Sequence, residues 1–261
     1  TMMKKMLFLL SAVSVLSLQA IWAQQSDPVQ LMDKSRDLTM SGNIQSTVSL
    51  TITEKNGAVR TRKLNMITKS YDDGTIKRMV KFLDPADVRG TAMLIIDNKN
   101  SQDDMWIYLP ALKRTRRIVS TEKGKSFMSS EFSNADMSSG TNTDFRIRHM
   151  PESGKAGSWV IESIPVSNDK ADEYGFSRKI TYLEMGTLKT RKIDFYNFED
   201  ELFKTIEIVA TQPIAGKEGY VMTDMFAKNH LNGRSSRVKF DEVNTSATIP
   251  DNTFIADNLS R

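Results

Sequence analysis

From Ile44 onward, apolar residues fall at every second position, and the runs are broken by turn signals rather than by helical stretches. Ile44, Ser46, Val48, Leu50 and Ile52 share one parity, and Gln45, Thr47, Ser49, Thr51 and Thr53 the other, the period of a strand with one buried face. Asn56-Gly57 is the strongest hairpin signal in the chain. It leads into a return strand over 59–68, and Asp72-Asp73-Gly74 turns again into 76–83. The pattern resumes at 143–150, 158–166, 176–185, 191–198, 202–211, 220–229 and 234–243. Turn signals separate these runs at Ser153-Gly154, Asn168-Asp169, Gly186, Glu199-Asp200, Gly216 and Asn232-Gly233. With no helix between them, strands at this spacing predict a continuous antiparallel sheet curled toward a barrel.

The stretch 82–136 departs from the alternation. Met93-Leu94-Ile95-Ile96 and Met105-Trp106-Ile107-Tyr108-Leu109 are apolar at successive positions, so neither can be a strand with one wet face. In the second, Met105, Ile107 and Leu109 face one way and Trp106 and Tyr108 the other, and both faces need cover. A basic strand follows over 114–119. After it, Phe127, Met128, Phe132 and Met137 stand among serines where a strand-rich chain would make a short polar turn. Methionine and phenylalanine on a pliable loop suit varied apolar partners. The candidate apolar groove is therefore Met93, Ile95, Trp106 and Tyr108, with Phe127, Met128 and Phe132 as a flap. Taken singly, each of these residues also reads as ordinary core; the arrangement as a whole carries the groove. The run Lys113-Arg114-Thr115-Arg116-Arg117 has two readings. It is either a solvated edge face that discourages aggregation, or a docking patch (Arg114, Arg116, Arg117) for head-group phosphates or an acidic partner.

Catalytic constellations are poor. The chain has no cysteine, which excludes disulfides, thiolate metal sites and a cysteine nucleophile. Its two histidines, His149 and His230, stand alone at predicted strand ends without metal-ligand spacing. Gly124-Lys125-Ser126 resembles the end of a phosphate-binding loop, but the glycine that loop requires five residues earlier is Val119. The carboxylate pairs Asp72-Asp73, Asp103-Asp104 and Glu199-Asp200 fall in turns, and Asn244-Thr245-Ser246 matches a glycosylation acceptor, a three-residue signal of little weight. Neither an enzyme, a cofactor nor a metal site is expected.

Residues 1–23 carry the parts of a secretory signal: Lys4 and Lys5, an apolar run, and small residues at Ala20 and Ala23. The net charge of +4 falls to +2 without those two lysines, so charge is only weak evidence for a membrane-surface partner, and with the export signal no nucleic-acid partner is expected. The expected organisation is a signal peptide over 1–23 and one domain over 24–261, placed in an extracytoplasmic space without a lipid-anchor cysteine. Asp27-Pro28 is a helix start, the helix running to Met40 with Val29, Met32 and Arg36 on one side and Leu31, Leu38 and Met40 nearby, and packing against a sheet. Ile249-Pro250 through Phe254 is a closing turn that packs Phe254 on the sheet edge.

The series Phe82, Pro85, Arg89-Gly90-Thr91, Trp106-Ile107-Tyr108-Leu109-Pro110, Arg117-Ile118, then Phe127-Met128-x-Ser130-x-Phe132-Ser133-x-x-Asp136 resembles the outer-membrane lipoprotein-sorting protein family. That family is similar to the periplasmic carrier LolA and its acceptor LolB. The likeness spans nearly the whole mature chain, including Thr223-Asp224 and Pro250-x-x-x-Phe254. Ser129 departs from it, since glycine is expected there. The resemblance implies a mainly β fold, α+β by its helix cover: an unclosed antiparallel β-barrel of roughly eleven strands with helices and loops over its concave face. It further implies a periplasmic carrier that binds acyl chains of lipoproteins or other envelope lipids and delivers them toward the outer membrane. Its partners would be an inner-membrane transporter or exporter and an outer-membrane acceptor, the chain itself being monomeric. The alternative is an accessory module that docks on an RND-type envelope transporter without carrying lipid. No functional residue of LolA is carried over one for one.

Overall fold

The computed structural model describes residues 27–39 and 42–260; the expected signal peptide lies outside them. Thirteen strands form one antiparallel sheet. They are β1 (Asn43–Thr53), β2 (Val59–Ser70), β3 (Ile76–Asp84), β4 (Ala92–Asp97), β5 (Asp104–Leu109), β6 (Arg114–Arg117), β7 (Phe145–His149), β8 (Ser158–Pro165), β9 (Arg178–Glu184), β10 (Thr190–Tyr196), β11 (Leu202–Pro213), β12 (Tyr220–Asn229) and β13 (Ser235–Asn244). Their order is β6-β5-β4-β3-β2-β1-β13-β12-β11-β10-β9-β8-β7. Neighbours in sequence pair throughout except β6 and β7, and β1 closes against β13 to join the two meanders. The terminal strands β6 and β7 do not pair, so the barrel stays open. The resemblance implied about two strands fewer, but the fold class is the expected one. Ten of the observed strands match segments visible in the alternation, and β4, β5 and β6 match the apolar and basic runs within 82–136.

Local chemistry explains the turns. Asn56-Gly57 closes the β1–β2 hairpin through Glu54 N–H to the Ala58 carbonyl at 2.8 Å, with Gly57 at φ 85°, a conformation that costs glycine little. Residues 168–174, expected as a turn, form a short helix, α3 (Asn168–Tyr174), whose cap Ser167 accepts from the Lys170 N–H. A one-turn helix, α2 (Ser120–Lys123), follows β6.

The inner face of the sheet holds the main core, including Val48, Leu50, Ile52, Phe82, Met93, Ile95, Ile206 and Phe240. The two doubly apolar strands acquire their second cover from the chain's end. Leu94 and Ala92 on β4 and Trp106 and Tyr108 on β5 pack outward against Ile249, Phe254 and Leu259. The closing turn thus lies over the outer face of β3–β5 rather than on the sheet edge expected for Phe254, with Leu259 extending the cover.

The first helix, α1 (Pro28–Leu38), starts at Asp27, whose side chain accepts from Val29 N–H, with Pro28 in its first turn. It stops at Leu38, two residues short of the expected Met40, which lies outside the described residues. Its buried positions are Leu31 and Ser35 rather than Val29, because Leu31 packs with Ile161 and Leu183 of β8 and β9. Polar contacts fix the helix to both halves of the sheet. Arg36 bonds Asp97 at 2.9 Å at the end of β4, while Ser35 bonds the Leu188 carbonyl at 2.8 Å beyond β9. The helix is a strap across the open mouth.

Candidate functional site

Beneath that strap lies a cavity of about 260 Å³. Its wall is drawn from strands β3, β2, β1, β13, β12, β11, β10 and β9, consecutive in the sheet, as only a sheet curled around a hollow can supply. Val48, Leu50, Leu64, Met66, Val80, Ile206, Ile208, Met222, Met225, Val238 and Phe240 make the wall apolar. Met32 of α1 and the segment 127–140 form the cover, with Phe127, Phe132, Ala135 and Met137 turned to the cavity.

Basic side chains of and beside the sheet hold the flap, three of them by its backbone. Arg62 of β2 donates to the Met128 carbonyl, and Arg78 of β3 to the Met137 carbonyl. Arg234 donates to the Ser129 carbonyl at 2.8 Å. From the other half of the sheet, Lys204 of β11 pairs with Asp136 at 2.6 Å. Met128 and Ser129 both adopt left-handed backbone, φ 50° and 61°, at a cost of about 1–2 kcal/mol per non-glycine residue. Ser129 is the position where the resemblance suggested glycine, and its φ shows why glycine suits it.

The flap is buttressed from behind by a contact that explains Gly124-Lys125-Ser126. A Cβ on Gly124 would come 2.9 Å from the Gly175 Cα, so the glycine permits α2 and α3 to cross in backbone contact. Beside it Lys123 and Glu173 form a buried ion pair at 2.8 Å, and Glu173 also takes Lys170 at 2.9 Å. Burial opposes ionisation of Glu173, but hydrogen bonds from Lys123 and Lys170 hold its carboxyl below the ordinary value.

The expected site residues separate into three places. Phe127 and Phe132 line the cavity; Met128 packs against the same core without lining it. Met93 and Ile95 face inward but are 0 % exposed and absent from the lining. That end of the inner face is filled by core side chains, among them Phe127, whose ring lies 6.0 Å from that of Phe82. Trp106 and Tyr108 do not belong to the cavity: alternation along β5 points them to the outer face, under the chain's end. Arg114, Arg116 and Arg117 lie on the edge strand β6. Arg116 pairs with Glu122 at 2.7 Å and Arg117 with Asp104, so two of the three are engaged within the chain.

Residues that sequence reasoning passed over are charged. Arg62, Arg78 and Lys204 stand in phase with inward apolar residues of their strands: Leu64 and Met66, Val80 and Phe82, Ile206 and Ile208. A cation at an inward position was the available signal. Lys179 and Thr181 of β9 line the cavity as well. Burial pushes the Lys179 amine down to about 8, with Lys204 acting in the same direction and Asp136 against it. Burial, reinforced by Asp97, pushes the Asp103 carboxyl up to about 6. Each histidine is held by a hydroxyl: His149 Nδ1 lies 2.7 Å from Ser153 Oγ, and His230 Nε2 lies 2.9 Å from Thr205 Oγ1. Among the described residues there is no grouping of acidic and histidine side chains suited to a metal, and no helix long and apolar enough to cross a membrane.

A family model described as an uncharacterized protein matches residues 74–261. No curated protein matches the sequence. Among solved structures, one described as an outer-membrane lipoprotein-sorting protein domain from Vibrio parahaemolyticus is 25% identical, with a TM-score of 0.80 over 90% of this chain and 98% of that one. A DUF1329 family protein from Desulfovibrio piger is 26% identical, with a TM-score of 0.77 over 90% of this chain and 100% of the other. A LolA superfamily protein from Nitrosomonas europaea shares the fold at 16% identity, with a TM-score of 0.66 over 89% and 99% of the two chains.

Proposed function

This chain belongs to a LolA-like family, and from that premise we propose that it is a periplasmic carrier. It shields acyl chains of lipoproteins or other envelope lipids and delivers them toward the outer membrane. The observation that carries this reading is the apolar cavity walled by consecutive strands and closed by a flap held through side-chain bonds to its backbone. An acyl chain of about fourteen carbons costs roughly 10 kcal/mol to expose to water, at about 0.8 kcal/mol per methylene. A carrier offsets most of that and still releases its cargo. At about 260 Å³, the cavity beneath the flap lies just under the roughly 300–1,000 Å³ of ligand pockets. Cargo therefore enters by lifting the flap, and the polar bonds broken on opening moderate the affinity. No step in this cycle needs a catalytic group in the chain.

The partners in this reading are an inner-membrane transporter that loads the carrier and an outer-membrane acceptor that unloads it. The edge strand β6 is the docking face in the accessory-module alternative. Its support is the exposure of Arg114, Arg116 and Arg117.

Native mass spectrometry of protein isolated from its own envelope tests the carrier reading, alongside uptake of a fluorescent acyl probe. Co-purifying lipid and saturable uptake are expected. Absence of both would sink the carrier reading. If pull-down of an envelope transporter then survived cavity mutations but failed on replacing Arg114, Arg116 and Arg117, the accessory module would stand instead.

A further inference from the structure

The apolar cavity has a polar spot that its own chain leaves unsatisfied. Lys179 and Thr181 stand two residues apart on β9 and both line the cavity. The Thr181 hydroxyl is buried, the residue being 2 % exposed, and has no hydrogen-bond partner among the described residues. The Lys179 ammonium lies over the rings of Phe145 and Phe176, 4.8 and 5.7 Å from their centres. Among the described residues it has no carboxylate within ion-pairing distance. The carboxylate that faces it, Asp136, is engaged by Lys204 at 2.6 Å and by the Ser133 N–H at 2.7 Å. Two ammonium groups thus face one carboxylate, and only Lys204 pairs with it. Farther along the wall the unmatched atoms are again donors: the Nε atoms of Arg36 and Arg78 are buried without acceptors, although Asp97 pairs with Arg36.

A half-buried ammonium facing an apolar cavity without a counter-charge is costly, and an anion that completes the site recovers that cost. We propose that Lys179 and Thr181 are a recognition point for the anionic head of a single-chain amphiphile, its acyl chain lying along the apolar wall. A carboxylate and a phosphate monoester present the same chemistry: acceptor oxygens for an ammonium and a hydroxyl, with charge to balance the excess cation. Aromatic rings flanking the ammonium keep it desolvated, which sharpens its preference for an anion over a neutral head.

This proposal rests on the carrier reading, and one titration series separates the two. Palmitate, 1-palmitoyl lysophosphatidate and 1-palmitoyl glycerol are titrated below their micellar range into the purified chain at pH 7, followed by calorimetry. At least one anionic ligand is expected to bind tenfold or more tighter than the neutral glyceride, and the ratio between the two anions identifies the head. Lys179→Met with Thr181→Val should remove that preference, whereas Lys179→Arg should retain it. Equal binding of all three by the native chain overturns this proposal and leaves the carrier reading standing. A preference that persists in the double variant overturns it too. Failure of every ligand to bind removes both.

Discussion

Replacing Lys179 by methionine should make this protein more stable, although it deletes a polar group the wall is built around. In the folded chain the amine sits at about 8, against 10.5 for an ordinary lysine, and burial is the main cause. At about 1.4 kcal/mol per tenfold change in proton affinity, keeping that charge inside costs the fold about 3 kcal/mol at neutral pH. Methionine fills similar volume without the charge. It forfeits attraction to the Phe145 and Phe176 rings, worth about 1–2 kcal/mol for a desolvated ammonium. The net expectation is a gain of about 1–2 kcal/mol, or about 3–6 °C in Tm for a domain of this size. The pH dependence identifies the cause. The folded amine has the lower proton affinity, so between pH 8 and 10.5 the unfolded chain binds more protons and native stability rises with pH. The variant lacks this term, so its advantage is full below pH 8 and fades toward pH 10.5. Urea unfolding of both proteins from pH 6 to 10, compared as a difference, measures it. A variant less stable at pH 7, or an advantage equal at pH 7 and pH 10, would refute the reasoning.

Three further outcomes are expected. Glu173→Gln should cost about 3–5 kcal/mol, since it leaves Lys123 buried and unpaired, while Lys123→Met should cost much less because Glu173 keeps Lys170. The Glu173 carboxyl is held below its ordinary value of 4.5, so its stabilisation is present above that pH and lost as pH falls through the folded value; acid unfolding of Glu173→Gln should lack that component. Gly124→Ala should cost about 1–3 kcal/mol in urea unfolding, because its Cβ meets backbone at Gly175, and a neutral result would mean the α2–α3 crossing gives way freely. Arg78→Met should speed hydrogen exchange at flap amides around Met137, whose carbonyl it holds, with protection in β1 unchanged; uniform loss of protection would point to global destabilisation instead.

What the sequence determined by itself was the sheet. Period-two alternation, Asn56-Gly57 and Asp73-Gly74 set strands and turns by local sterics, and each predicted segment appears in the sheet within a few residues. Double apolarity at Met93–Ile96 and Met105–Leu109 correctly demanded cover on both faces. Only the tertiary structure decided what the cover was. Trp106 and Tyr108 meet the chain's end, more than a hundred residues away, and nothing local distinguishes burial against protein from burial against a ligand. The same holds for the charges. Arg62, Arg78, Lys179 and Lys204 look like ordinary strand cations until the curl of the sheet turns their side inward. Their partners are carbonyls, aromatic rings and one shared carboxylate on a loop that pairs with none of those strands. Strand periodicity is a property of neighbours in sequence. Which side becomes the hollow, and which cation is left there without an anion, depends on closure of the whole sheet around its mouth.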